Sequence, residues 1–288
     1  MILSYLFATL SAFFESMKEV FSKKGLKDVD EYIITWAFGF FALPFLALPL
    51  VFFKTPNLGS AFWLALIIGG ILNLLATVFH MKSIKKSDLS VTVPLMAFTP
   101  LFLLITAPLI IGEYPTLLGI IGVVLIVIGS YVLNFNDKEK GYLTPFKAML
   151  EEHGPRLMLV AAFLLSLSST VDKIGVLNSS PIFWAFSVHI FTTLTLAPIL
   201  LYEIENHLKI SSTELKILIS IGIFSALSII FQMTAISLTL VAYVIAIKRT
   251  SIVISVLLGH FIFKEIDIKE RLLGASIMII GVILITLS

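Results

Sequence analysis

Two cations stand side by side in the middle of an apolar run. Residues 240–253 read LVAYVIAIKRTSIV, with Lys248 and Arg249 flanked on both sides by lipid-preferring side chains. Each cation at the centre of a membrane helix costs about 2.5–3.5 kcal/mol on insertion scales, so the pair costs on the order of 6 kcal/mol. Such residues persist where they face a wet cavity, an anion, or carboxylates of other helices. Arginine presents a planar fork to two anionic oxygens, and lysine a point charge. Adjacent helical residues point about 100° apart, so one structural partner rarely serves both. The pair is therefore read as a site for a phosphate or carboxylate group. Internal pairing is the competing reading.

Other polar residues sit in comparable places. Glu15, Lys18 and Glu19 are spaced three and four apart, which puts them on one helical face. Three readings apply to them: a self-neutralising Glu15–Lys18 pair, a proton-coupling carboxylate, or a gate in which they pair with Lys248 and Arg249 when the site is empty. His189 lies mid-run beside Thr192, Thr193 and Thr195, as a substrate donor or a ring bonded to a backbone carbonyl. Tyr243 and Thr99 are candidate pocket hydroxyls, although aromatic packing is the commoner use of a buried tyrosine. Pro94 and Pro100 would loosen their helix and free carbonyls for a cavity. Asp172 and Lys173 are expected to pair with each other near a helix end, and His260 to sit at an interface.

No catalytic signature accompanies these groups. There is no phosphate-loop glycine run, no metal-ligand spacing and no Ser/His/Asp grouping, so no enzyme activity, metal or cofactor is implied. The chain has no cysteine, which excludes disulfides and thiol chemistry.

The elements that must position these residues follow from composition. Of 288 residues, 58% are hydrophobic and only 13% charged, with a net charge of +2 and a mean hydropathy of +1.06. Soluble domains are about 45–50% apolar and about 25% charged. These figures exclude a soluble enzyme, a disordered chain and a nucleic-acid-binding module, and they require membrane lipid as a partner. A helix needs about 20 apolar residues to cross the bilayer. Ten stretches qualify: 2–21, 32–53, 58–81, 89–111, 114–135, 155–176, 181–202, 214–238, 240–262 and 268–287. The first is read as a retained helix, because no basic segment precedes it as in a signal peptide. Between 136 and 154, Thr144 and Pro145 read as a helix start, with Gly154 as a terminator, which suggests a short interfacial helix.

The halves repeat. Gly122 and Gly129 follow Glu113 at the intervals at which Gly274 and Gly281 follow Glu265, an offset of 152 residues. Phe79-His80-Met81 and Phe231-Gln232-Met233 keep that offset. Five spans per copy force the second copy upside down. The expectation is an all-α membrane protein of ten transmembrane helices arranged as two inverted five-helix repeats. Its parts are a first repeat at 1–136, a linker at 137–154 and a second repeat at 155–288. Fifteen Lys and Arg residues fall in or beside the loops on one side and two on the other. The positive-inside rule then places both termini outside the cytoplasm.

This architecture resembles the drug/metabolite transporter superfamily in its ten-helix form with two EamA-type repeats. The residues that carry the likeness are the five-helix halves, Pro100 in the fourth span, the glutamates Glu113 and Glu265 closing the fourth span of each copy, and the glycine-spaced helices that follow. The resemblance implies secondary transport by alternating access, with termini in the cytoplasm, against the charge count. The pair Lys248-Arg249 is similar to one that holds phosphate in plastid sugar-phosphate translocators. Met96 stands where those proteins carry a further lysine, which points to a less highly charged anion. The function expected is transport of a small anionic or amphoteric metabolite across a prokaryotic plasma membrane. Lys248 and Arg249 bind it with help from Tyr243, His189 or Thr99, and Glu15, Lys18 and Glu19 gate or neutralise the site. The alternatives are a proton-coupled amino-acid or drug exporter and, from another class, a lipid scramblase or a non-transporting receptor.

Overall fold

A computed structural model describes residues 2–25, 29, 31–52, 55–86, 93–134, 152–203, 211–263 and 268–288. Among them every regular element is helical. The first half comprises α1 (Ile2–Gly25), α2 (Glu31–Phe40), α3 (Leu43–Phe52), α4 (Phe62–Lys86), a 3-10 turn at Val93–Phe98, α5 (Thr99–Ile111) and α6 (Leu117–Asn134). The second comprises α7 (His153–Leu177), α8 (Pro181–Glu203), α9 (Ser212–Leu238), α10 (Val241–Lys248), α11 (Ser251–Phe263) and α12 (Ile268–Thr286). Among the described residues five stretches are long and apolar enough to cross a membrane: Ile33–Phe52, Phe62–His80, His153–Leu177, Pro181–Pro198 and Ser212–Leu238. Leu95–Ile111, Leu117–Leu133 and Leu273–Thr286 are shorter apolar helices. In α1 the inner charges Glu15, Lys18 and Glu19 interrupt the apolar run.

Three stretches expected to be continuous are broken, each for a local reason. The run 32–53 turns at Phe41–Ala42, because Pro44 has no N–H to offer the carbonyl of Phe40. Within the run 89–111, a 3-10 turn at Val93–Phe98 gives way to α5 at Thr99, with Pro100 in the first turn. Pro100 cannot bond the carbonyl of Met96, and the Thr99 hydroxyl donates to it instead at 2.9 Å. The run 240–262 breaks after Lys248. There Thr250 N and Thr250 Oγ1 both donate to the Ile247 carbonyl, at 2.9 and 2.7 Å. That doubled bond tightens the turn without a proline. The starts of α5 and α11, Thr99 and Ser251, are separated by the 152-residue offset of the repeat.

Packing exchanges helices between the halves. Helix α1 lies on α9, and its repeat equivalent α7 lies on α4, the repeat equivalent of α9. Serines stitch both seams. Ser11 Oγ donates to the Ser228 carbonyl at 2.9 Å, and Ser83 Oγ donates to the Gly154 carbonyl at 2.7 Å. Gly154, expected to end a helix, therefore lies in the first turn of α7. The remainder of the expected interfacial helix, and Glu265, lie outside the described residues. Phenylalanines fill the α1–α9 seam, with Phe14 stacked on Phe231 at 5.6 Å.

Helices α6 and α12 meet backbone to backbone. A Cβ on Gly129 would stand 2.5 Å from the Gly274 carbonyl oxygen, and one on Gly274 would stand 2.6 Å from that of Gly129. Gly122 and Gly281 are paired in the same reciprocal way, at 2.7 and 2.6 Å. Partners that approach one another in reverse order show that the two helices run antiparallel. Small residues are what permit such contact in lipid, where apolar side chains gain little by leaving the tails. Gly129→Ala and Gly274→Ala should each cost about 1–3 kcal/mol, read as a lowered unfolding temperature in detergent. The double variant should cost less than the sum, because one separation of the helices relieves both clashes.

Candidate functional site

A cavity of about 840 Å³ lies between the two halves. Its lining reaches Lys23 in the last turn of α1, His80 on α4 and Ser255 on α11 at one end. At the other it stops at Asp172 on α7, Ala185 on α8 and Ile245 on α10. The first end is the one whose loops carry most of the lysines. The second end is shut by contacts between the halves. Lys173 Nζ pairs with Glu113 Oε1 at 3.0 Å and donates to the Ile236 and Thr239 carbonyls at the end of α9. Glu113 Oε2 in turn accepts from Val241 N, at the start of α10, at 2.8 Å. Gly59 N donates to the Asn178 carbonyl at 2.8 Å beside it.

Glu15, Lys18, Glu19, Thr99, His189, Lys248 and Arg249 all line the cavity. Glu15 sits between two ammonium groups: Oε1 lies 2.5 Å from Lys18 Nζ, and Oε2 lies 3.3 Å from Lys248 Nζ. Ser228 Oγ donates to Oε2 at 2.8 Å. Both the internal pair and the cross-helix pair expected from the sequence are thus formed by one carboxylate. Lys248 also donates to Gln232 Oε1 at 2.6 Å. Glu19 makes no ion pair with Arg249 and accepts a hydrogen bond from Ser255.

Arg249 is differently placed. Its Nη2 donates to Thr99 Oγ1 at 3.0 Å, and no carboxylate among the described residues pairs with it. A guanidinium has five N–H donors. This one therefore stands in the cavity wall with most of its hydrogen-bonding capacity unspent. The bond to Thr99 joins the two helix breaks, one from each half. The first turns of α5 and α11 contribute Thr99, Ser251 and Ile252 to the same lining, and the N–H groups of Ile252, Val253 and Ile254 are bonded to the Arg249 and Thr250 carbonyls of the turn before them. Counting formal charges, Lys18, Lys23, Lys248 and Arg249 face Glu15, Glu19 and Asp172, an excess of one positive charge.

Two expectations are corrected. Tyr243 does not line the cavity: its hydroxyl accepts from Thr116 N at 3.1 Å, and its ring packs on Gly119, near the shut end. Asp172 and Lys173 do not pair with each other. Neighbours on a helix diverge, and while Lys173 reaches Glu113, Asp172 accepts from Trp184 Nε1 at 2.9 Å. His189 Nδ1 lies 2.9 Å from the Ala185 carbonyl, so the ring is tied to the backbone and also lines the cavity. Reasoning from sequence missed Gln232 and His80 as lining residues. Their signal was present, since they are the variable members of the matched Phe-x-Met triplets, but it was used only to detect the repeat.

A helical membrane protein built from two copies around a polar central cavity is the class these observations define. The EamA-like transporter family profile matches residues 2–135 and 154–287, once for each copy, and the chain belongs to that family. It is an integral, multi-pass membrane transporter of small substrates. It is similar to an uncharacterized transporter of Archaeoglobus fulgidus, 27% identical over 274 residues that cover 92% of this chain and 91% of that protein. A solved crystal structure superposes with a TM-score of 0.78 over 99% of this chain and 96% of the other, at 13% identity, and so shares the fold.

The shared carboxylate makes a stability prediction. Glu15→Gln removes the partner of two cations at once and should cost about 3 kcal/mol. Lys18→Met should cost less, because Glu15 keeps Lys248. Thermal unfolding of the two variants in one detergent gives the order; equal losses would show that Glu15 does not join the two lysines.

Proposed function

We propose that this protein is a secondary transporter of a small metabolite bearing an anionic group, held at Arg249 and Lys248 and carried by alternating access. The observation that carries the reading is the Arg249 guanidinium, which lines the cavity with one hydrogen bond and no paired carboxylate among the described residues. A bound carboxylate or phosphate would take up the free fork. It would also compete with Glu15 for Lys248, so that Glu15 acts as a stand-in anion when the site is empty. The commitment of both Glu15 oxygens to Lys18, Lys248 and Ser228 favours this gating role over proton carriage.

Ten spans in two inverted copies of five fit the same reading. The pairs α2–α3 and α10–α11, and the 3-10 turn with α5, each make one interrupted span. The antiparallel α6–α12 contact supports the inversion. The Glu113–Lys173 cluster would be the closed gate of the state seen here, with the cavity open to the basic side. The charge count assigns that side to the cytoplasm, and the archaeal relative supports a prokaryotic plasma membrane.

Two measurements test this. Purified protein screened by thermal shift against carboxylates, phosphates, amino acids and nucleotide sugars should be stabilised by its substrate through mass action. The radiolabelled compound should then enter proteoliposomes, and Lys248→Met with Arg249→Gln should abolish both effects while the protein stays folded. Undiminished flux in that variant would refute the anion site. For orientation, a cysteine appended after Ser288 should react with an impermeant maleimide in intact cells. Labelling only after permeabilisation would reverse the assignment.

A further inference from the structure

The cavity holds a second group whose chemistry is not used by an anion. Asp172 is only 7% exposed, lines the cavity, and is a carboxylate inside a lipid-spanning bundle. One oxygen accepts from the indole of Trp184, itself fully buried. The neighbouring Lys173 is turned away to Glu113. Among the described residues no hydrogen bond or ion pair reaches the second oxygen of Asp172. Two further acceptors line the same cavity. Ser169, one turn earlier on the same helical face, is buried, lines the cavity and has no partner for its hydroxyl among the described residues. His189 has its Nδ1 at the Ala185 carbonyl, which can only accept, so Nδ1 carries the proton and Nε2 of the neutral ring is an acceptor.

A buried carboxylate with one indole N–H is half satisfied, and it is retained where a cation or a wet cavity completes it. We propose that Asp172, with Ser169 and His189 Nε2, is a cation subsite for the ammonium group of an amphoteric substrate. This rests on the anion reading: the carboxylate end of the same molecule would lie at Arg249. The cavity would then select solutes carrying both charges over simple anions. An inorganic cation is the other source of the same chemistry.

Binding to the purified full-length chain is measured for acetate against glycine, and for pentanoate against 5-aminopentanoate, with pentylamine as the amine alone. Each is run in sodium chloride and in choline chloride. In the wild type, at least one amino carboxylate should bind about tenfold tighter than its deaminated partner, the worth of one charge-assisted hydrogen bond. Asp172→Asn keeps an oxygen for Trp184 and should erase that advantage while leaving the carboxylate's affinity unchanged. Arg249→Gln should weaken both members of each pair. An unchanged amine advantage in Asp172→Asn, equal weakening of both partners by it, or no binding of any amino carboxylate overturns the subsite. Stabilisation by sodium alone that Asp172→Asn removes would overturn it in favour of an inorganic cation. If Arg249→Gln changes neither partner while Asp172→Asn still erases the amine advantage, the anion assignment fails and the cation subsite stands.

Discussion

A charge inside an apolar helix must find an opposite charge, a set of dipoles or water, and most of this structure can be read as the ways its inner charges do so. Glu15 answers for Lys18 and Lys248 together. Lys173 answers for Glu113 and for the loose carbonyls at the end of α9. Glu19 and Asp172 are held by a serine and an indole. Arg249 is the case that is left partly open, with Thr99 as its single partner among the described residues. Arg249 lines the cavity, and under the proposed function its remaining donors would take up a substrate's anionic group.

The arrangement needs breaks in the helices as much as it needs charges. Breaking at Thr99 in one copy and at Ser251 in the other brings two helix starts to one cavity. The copies reach the same geometry by different means. In the first, Pro100 removes a donor and Thr99 fills in. In the second, Thr250 captures the Ile247 carbonyl. The reciprocal glycines of α6 and α12 hold the halves together at a distance where no side chain intervenes. The two copies share a frame yet differ in charge, since Met96 and Ala97 occupy the repeat positions of Lys248 and Arg249.

Hydropathy and spacing made much of this legible. The apolar excess marked the chain as a membrane protein, the 152-residue offset pointed to two copies, and the family profile matches twice, at 2–135 and 154–287. Lys248, Arg249, Glu15 and Lys18 were visible because charge inside an apolar run is costly and therefore informative. What failed was any inference that needed to know which helix faces which. Asp172 and Lys173 looked like a pair because they are adjacent, but adjacency on a helix means divergence, and their partners lie on α8 and at the end of α5. Tyr243 looked like a pocket residue because it precedes Lys248 on the same span, but its hydroxyl meets Thr116 far along the chain. The turn at Phe41–Ala42 was concealed within an unbroken apolar run that held its own proline.

The central claim is that Arg249 binds the anionic group of the substrate, and arginine chemistry tests it directly. The chain has only three arginines, Arg156, Arg249 and Arg271. Purified protein treated with phenylglyoxal, with modification at each site followed by peptide mass spectrometry, reports the accessibility of each guanidinium. At least one of a panel of carboxylates, phosphates and amino carboxylates should slow modification of Arg249 about tenfold or more, with Arg156 and Arg271 unaffected. Modification of Arg249 at the same rate with and without every member of the panel would contradict the account.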